Sequence, residues 1–176
     1  TAGFGLFSIL DQVQNAGLNL WVPLHTCAVW DFDEYTWRSA MNTGIVICPD
    51  LRKKDLANKR KIKKLTEELK QLRPLLLGDY YPLFEINLIE TNWFGYQFNR
   101  PDLGKGMALV LRRTLVSNST THVELKGLEP NSKYELTFKD TGKKKIGLGK
   151  VISKLDVTVD SQQGSLLIIY NKIKKK

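Results

Sequence analysis

The sequence predicts an α/β segment followed by an all-β domain, with the change near residue 76. Three observations predict it. Before Pro74, short continuous apolar runs, each stopped by a proline, alternate with stretches of helical period. After it, about six short runs rich in β-branched and aromatic residues recur at even spacing between turn signals. The basic residues gather in one helix and one tail rather than spreading over the chain. We therefore read residues 1–75 as one unit and 76–176 as another.

In the first unit, Phe7 to Asn15 reads as a helix, with Phe7, Leu10, Val13 and Gln14 on one stripe and Gly17 ending it. Leu18-Asn-Leu-Trp-Val22 reads as a buried strand stopped by Pro23, with Trp21 in the core. After a polar and aromatic loop, Tyr35 to Met41 reads as a short helix and Gly44-Ile-Val-Ile-Cys48 as a second buried strand, stopped by Pro49. Asp55 to Arg73 is the clearest helix. Leu56, Ile62, Leu65, Leu69 and Leu72 form its apolar stripe, and Pro74 closes it because a residue before proline avoids the helical region. This order is that of a parallel α/β sheet, and two such strands fit the end of a larger one. The two strands should then lie parallel and be buried on both faces.

In the second unit the predicted strands are Trp93–Phe98, Met107–Arg112, His122–Leu125, Tyr134–Lys139, Val151–Val159 and Ser165–Tyr170. Asp102-Leu-Gly104 and Asp140-Thr-Gly142 mark turns, and Gly147-Leu-Gly149 reads as a strand-to-strand turn. This pattern predicts an antiparallel β-sandwich. Leu128-Glu-Pro130 followed by Tyr134 resembles the corner of fibronectin-like domains, where a tyrosine hydroxyl bonds to backbone a few residues upstream.

The formal net charge is +9. From Arg52 to Arg73 there are ten Lys/Arg against three Asp/Glu, a net of +7, and the tail Lys172, Lys174, Lys175 and Lys176 adds +4, which leaves −2 for the remainder. The helix carrying the charge has no aromatic side chain for base stacking, so a solvated basic face is expected and no nucleic-acid partner. No apolar run approaches the ~18–20 residues that span a bilayer, and no signal-like stretch is visible, so no membrane partner is expected and the compartment stays open. The chain starts at Thr1 without methionine, which reads as a cut. Cys27 and Cys48 do not define a disulfide framework or a metal site; buried free thiols are expected, and no metal or cofactor is implied.

Three collinear pieces carry a family resemblance: Leu20-Trp-Val-Pro-Leu24; Tyr35-Thr-Trp-Arg-Ser-Ala-Met41 with Gly44-Ile-Val-Ile-Cys48 and Asp50; and Gly78-Asp-Tyr-Tyr-Pro82 with Trp93, Tyr96-Gln-Phe-Asn-Arg-Pro-Asp102 and Gly106-Met-Ala-Leu-Val-Leu-Arg112. Together they resemble the C-terminal part of melibiase-type α-galactosidases (glycoside hydrolase clan D, family 36-like). The resemblance implies the last strands and helices of a (β/α)8 barrel, followed by a C-terminal β-sandwich that packs against it and stabilises it. It implies chemistry at the C-terminal ends of the barrel strands. It also implies a retaining mechanism, in which one Asp attacks the anomeric carbon and a second serves as acid then base, about 5–5.5 Å away. In the family both lie on earlier strands, and neither segment is recognised here, so no catalytic residue is carried over and this chain alone should be inactive. The partner implied for the full-length enzyme is a carbohydrate substrate, and exposed barrel strands should make the isolated piece self-associate as a homo-oligomer.

Four residues are candidate substrate contacts: His25, Trp30, Asp31 and Asp50. His25 would follow the first strand directly, where pocket loops begin; the alternative is a loop histidine. Trp30, with Phe32, offers an aromatic face to a sugar or forms a lid. Asp31, with Asp33 and Glu34, could accept bonds from sugar hydroxyls or cap a helix. Asp50 follows the second strand by two residues. Arg38, set among apolar and small residues, reads as a structural ion pair. His122 lies in a predicted strand without an evident partner. Two rival functions remain: a carbohydrate-binding or fibronectin-like β-sandwich module with a basic helical adaptor, and a basic interaction protein using residues 52–73.

Overall fold

The computed structural model describes residues 2–22, 24–50, 52 and 56–173, with backbone only for 2–6. Helix α1 (Ala2–Asn19) is longer than its periodicity suggested and runs through Gly17, whose missing Cβ faces open space. Its buried face is Ser8, Ile9, Gln12, Asn15 and Ala16, while Phe7, Leu10 and Gln14 point outward. The expected stripe is therefore the wrong face. Polar complementarity decides the orientation: Gln12 Nε2 donates to Tyr35 Oη at 3.0 Å and Ser39 Oγ at 2.9 Å, and Asn15 Nδ2 donates to the Ser39 carbonyl at 3.0 Å.

The strand expected over residues 18–22 does not form. Leu18 and Asn19 finish α1, Leu20 and Trp21 form a turn, and Trp21 is 86% exposed rather than core. The strand that pairs is β1 (Thr26–Val29). It runs parallel to β2 (Gly44–Ile47), with Thr26 opposite Gly44 and Val29 opposite Ile47, and the crossover contains α2 (Glu34–Ala40). Gly44 is needed here, since a Cβ would lie 2.5 Å from Thr26 Cγ2. The parallel crossover agrees with the expectation, but burial on both faces does not. Cys27, Val29, Ile45 and Ile47 pack on Trp37, Ala40, Ile62 and Leu65, whereas Val46 on the opposite face is half exposed.

Helix α3 (Leu56–Leu72) buries Leu65, Leu69 and Leu72 and partly buries Ile62. Leu56 is 70% exposed and lies off the packed face, a correction to the expected stripe. The chain then enters β3 (Asp79–Pro82), β4 (Phe94–Arg100), β5 (Lys105–Arg112), β6 (Thr120–Glu124), β7 (Lys133–Phe138), β8 (Lys144–Leu148), the single-turn helix α4 (Gly149–Ile152), β9 (Lys154–Thr158) and β10 (Gly164–Lys172). Six strands form one sheet in the order β3-β4-β5-β10-β7-β8, every neighbour antiparallel, and β6 pairs antiparallel with β9 in a second. β3 and β8 were not expected. Val151 and Ile152, expected in a strand, belong to α4, and Gly147 and Leu148 belong to β8 rather than to a turn. A close backbone approach sets this break: a Cβ on Gly149 would meet the Glu129 carbonyl at 2.2 Å, while the Gly149 amide donates to Ser132 O at 2.9 Å.

The six-stranded sheet is covered on both faces. Phe94, Tyr96, Phe98, Met107, Leu109 and Leu111 meet Leu69, Leu72, Leu75 and Leu76 with Ala16, Tyr35 and Met41. Ala108, Val110, Leu136 and Ile168 meet Val123, Leu125, Leu155 and Val157 of the small sheet. Double coverage accounts for the unbroken apolar run Met107–Leu111; the singly covered β6 and β9 alternate instead. Tyr134 makes the expected corner, its hydroxyl accepting from the Glu129 amide at 3.1 Å. The buried amide of Gln97 is fully used, donating to Lys126 O and Tyr170 Oη and accepting from the Lys126 amide. The β-sandwich is present, whereas no barrel closes among the described residues, where β1 and β2 form a two-stranded sheet.

Candidate functional site

A parallel pair places all its chain exits at one end, so residues following β1 and β2 become neighbours whatever their separation in sequence. The Cys48 amide donates to Val29 O at 3.0 Å and extends the pair by one residue. Trp30, Asp31 and Asp50 therefore gather at the C-terminal end of the two strands. Trp30 is more than half exposed, and both carboxylates are exposed. Asp31 Oδ1 accepts from the Phe32 amide at 2.6 Å. Asp50 accepts from the Arg52 amide and guanidinium at 2.9–3.1 Å. This end presents an indole and two acceptor-rich carboxylates, which can stack on a sugar ring and receive its hydroxyls. Among the described residues it holds no carboxylate lodged in an apolar pocket opposite a second one, the arrangement a glycosidase acid/base requires.

His25 does not join them. It precedes β1 instead of following a strand, which puts it roughly 15 Å from Trp30 at ~3.3 Å per residue. Its ring is held in place: Nδ1 donates to Val22 O at 3.0 Å, and Nε2 lies 2.9 Å from Asn42 Nδ2 and 3.2 Å from Asn15 Oδ1. The misplacement follows from assigning the strand to 18–22. Phe32 is buried beside Val29 and Trp37 and is core rather than lid. Asp33 is the helix cap, accepting from the Thr36 amide at 2.8 Å. Glu34 binds Lys64, and that bond holds its carboxyl below the ordinary range.

Arg38 is the structural ion pair that its surroundings implied. It is 1% exposed; Nε and Nη2 donate to the two oxygens of Glu68 at 2.9 and 2.8 Å, and Nη1 donates to Asp140 at 2.7 Å and Ser165 Oγ at 3.0 Å. Burial opposes its charge, but Glu68 and Asp140 more than offset this and raise its pKa. One guanidinium thus ties α2 to α3, to the β7–β8 turn and to β10. Sequence reasoning missed both acceptors, which lie 30 and 102 residues away. His122 also has a cross-strand partner, Asp156 at 2.9 Å.

Both cysteines are free; Cys27 is the buried thiol that was expected, whereas Cys48 is only partly buried. Cys27 is buried and donates to Asp11 Oδ1 at 3.1 Å; burial first, and Asp11 second, push its thiol up to about 12. No group of three His, Cys, Asp or Glu able to hold a metal occurs among the described residues, and no described helix is long and apolar enough to cross a membrane.

With this geometry in hand, the comparison with solved structures is decisive for the fold. The α-galactosidase AgaA of Geobacillus stearothermophilus, a GH36 enzyme solved with raffinose, superposes on 78% of this chain with a TM-score of 0.63 and 21% identity. The fold is that of a segment of GH36 α-galactosidases. The α-galactosidase of Lactobacillus brevis covers 80% of the chain at TM-score 0.63 and 18% identity, and the galactosidase domain of the α-galactosidase–sucrose kinase AgaSK covers 78% at 0.61 and 15%. The chain spans about a fifth of each of these proteins, 19–20% of their length. No protein-family model and no curated protein sequence matches it.

Proposed function

We propose that this chain is the C-terminal portion of a retaining glycoside hydrolase that removes terminal α-D-galactosyl residues, with residues 1–75 completing a (β/α)8 catalytic barrel and residues 76–176 forming a β domain that buttresses it. The observation that carries the reading is a parallel βαβ unit with one bare face, fused to a β-sandwich, in the overall shape of a segment of GH36 α-galactosidases. A two-stranded parallel sheet is not a self-sufficient layer, and further strands along its edges would supply the missing cover. Val46, and beyond the strands Leu20, Trp21 and Leu24, are the exposed apolar side chains such strands and helices would bury. Left bare, they favour self-association of the isolated chain.

In this reading the nucleophile and the acid/base belong to other barrel strands, and Trp30, Asp31 and Asp50 contribute one wall of the pocket at the catalytic, C-terminal end. His25 lies at the opposite end and supports the barrel instead of touching sugar. The test compares this chain with a longer form extended at its N-terminus to a full barrel, using an activated aryl α-galactoside. The chain alone should be inactive and the longer form active. Within the longer form Trp30→Ala should raise KM, while His25→Ala should leave KM unchanged. Turnover by the chain alone that disappears in Asp31→Ala or Asp50→Ala would overturn the assignment.

A further inference from the structure

A small cleft lies away from the ends of β1 and β2, where the loop between β3 and β4 meets β6. Its volume is about 230 Å3, and Phe84 and Trp93 contribute its aromatic lining. Both rings are partly buried and pack against the core between the two sheets, so their positions are fixed by the sandwich. Around them stand Thr91, Asn92 and Thr121, whose side chains line the cleft and make no hydrogen bond to any described residue. Glu85 and Asn87 complete the rim, joined by a bond from Asn87 Nδ2 to Glu85 Oε2 at 3.3 Å.

We infer that this cleft is a binding site for a single neutral hexopyranose ring. Its residue types match both halves of that ligand. A pyranose has C–H groups that can lie against the exposed edge of an aromatic ring and a perimeter of hydroxyls that both donate and accept. Two hydroxyls and an amide without partners among the described residues, beside a carboxylate, supply donors and acceptors in the same small volume. The size suits one ring, being below the ~300–1,000 Å3 of sites for larger ligands. No lysine or arginine among the described residues lines it, so an anionic ligand would find no counter-charge from them.

The loop is also held in advance. Arg113, fully buried, donates to Asn87 Oδ1 at 3.2 Å, to Ile89 O at 3.0 Å and to Gln12 of α1 at 2.9 Å. The Ile89 amide donates back to Asn87 Oδ1, the Asn92 amide to Ile89 O, and the Leu83 amide to Gly95 O. A rim fixed before the ligand arrives loses little conformational freedom on binding. This site does not depend on the hydrolase reading, because every residue that lines it belongs to the β domain.

The experiment is a titration of the intact chain with D-galactose and methyl α-D-galactopyranoside, followed by two-dimensional 15N NMR, with glycerol as a control for polyol effects. Saturable shifts should centre on Thr91, Asn92, Trp93 (including its indole N–H) and Thr121. Asn92→Ala, which removes an exposed-side amide without touching the core, should weaken binding about tenfold, the equivalent of one hydrogen bond to a ligand hydroxyl. Trp93→Phe should weaken it while leaving the rest of the spectrum folded, and Asp50→Ala should not alter it. The inference fails if neither sugar shifts these residues, if glycerol reproduces the shifts, or if the shifts centre on Trp30 and Asp50. Any of those results would leave the hydrolase reading intact, because that reading rests on turnover by the longer form.

Discussion

The parallel pair β1–β2 and the six-stranded antiparallel sheet are built from similar apolar runs, yet only the second is covered on both faces. In β5 every residue from Gly106 to Arg112 is buried; in β2 none is fully buried, and Val46 is half exposed. The same asymmetry appears in α1, which turns the amides of Gln12 and Asn15 toward α2 and leaves Phe7 and Leu10 outside. The difference teaches that, among the described residues, the six-stranded sheet is packed on two faces, whereas the parallel pair is packed on one, against α2 and α3. What joins the helical layer to the six-stranded sheet is one cluster of Leu69, Leu72, Leu75 and Leu76 against the sheet, and one guanidinium, Arg38.

The most damaging single change should be the one that breaks this junction. Arg38→Ala leaves Glu68 and Asp140 partly buried without their cation and should cost about 3–5 kcal/mol in urea unfolding. Arg38→Lys should recover little, because an ammonium cannot engage both carboxylates with the same fork. A cost below about 1 kcal/mol would mean that the leucine cluster alone holds the layers together.

Leu69→Ala sharpens the same comparison by removing core volume from the junction and should cost about 2–5 kcal/mol, whereas Leu56→Ala on the exposed side of the same helix should change stability by less than about 0.5 kcal/mol. Equal effects at the two positions would break the assignment of the packed face. Lys61 and Lys64 lie on the solvent side, and their replacement should also stay within about 0.5 kcal/mol.

Within the six-stranded sheet, Tyr134→Phe removes only the hydroxyl that receives the Glu129 amide and should cost about 1 kcal/mol by thermal or chemical unfolding. Loss of the fold in this variant would show that the corner does more than satisfy one amide.

The smallest effect concerns Asp11, beneath the parallel pair. Its pKa is raised from 3.8, chiefly by burial, so its ionised form is disfavoured in the folded chain. The penalty is absent below the unfolded value of 3.8 and fully present above the folded one. Asp11→Asn should therefore stabilise the chain slightly at pH 7, and the gain should vanish as the pH is lowered toward 4. A gain that grew on acidification would have the wrong sign. Cys27, whose thiol is buried and raised, should in the same samples be alkylated more slowly than the less buried Cys48.

The sequence by itself determined the elements whose pattern reports their own burial. Helix α3 was legible from its leucine spacing and its closing proline, α2 and β2 from short apolar runs with clear stops, and β4, β5, β7 and β10 from β-branched and aromatic runs between Gly-containing turns. The buried Arg38 and the Tyr134 corner were legible because their immediate neighbours constrain what they can do. Tertiary structure alone decided the rest. Leu18–Val22 has the composition of a strand, but a strand needs a partner for its backbone groups, and β2 takes Thr26–Val29 instead, where Gly44 admits Thr26. That shift of eight residues carried His25 to the wrong end of the pair while Trp30, Asp31 and Asp50 stayed together. The inward face of α1 is polar because its partners are Tyr35, Ser39 and Arg113, and hydropathy cannot report a bond to a residue as many as 101 positions away. Pairings such as Arg38 with Asp140 and His122 with Asp156 are set by register and packing, which exist only once the chain has folded.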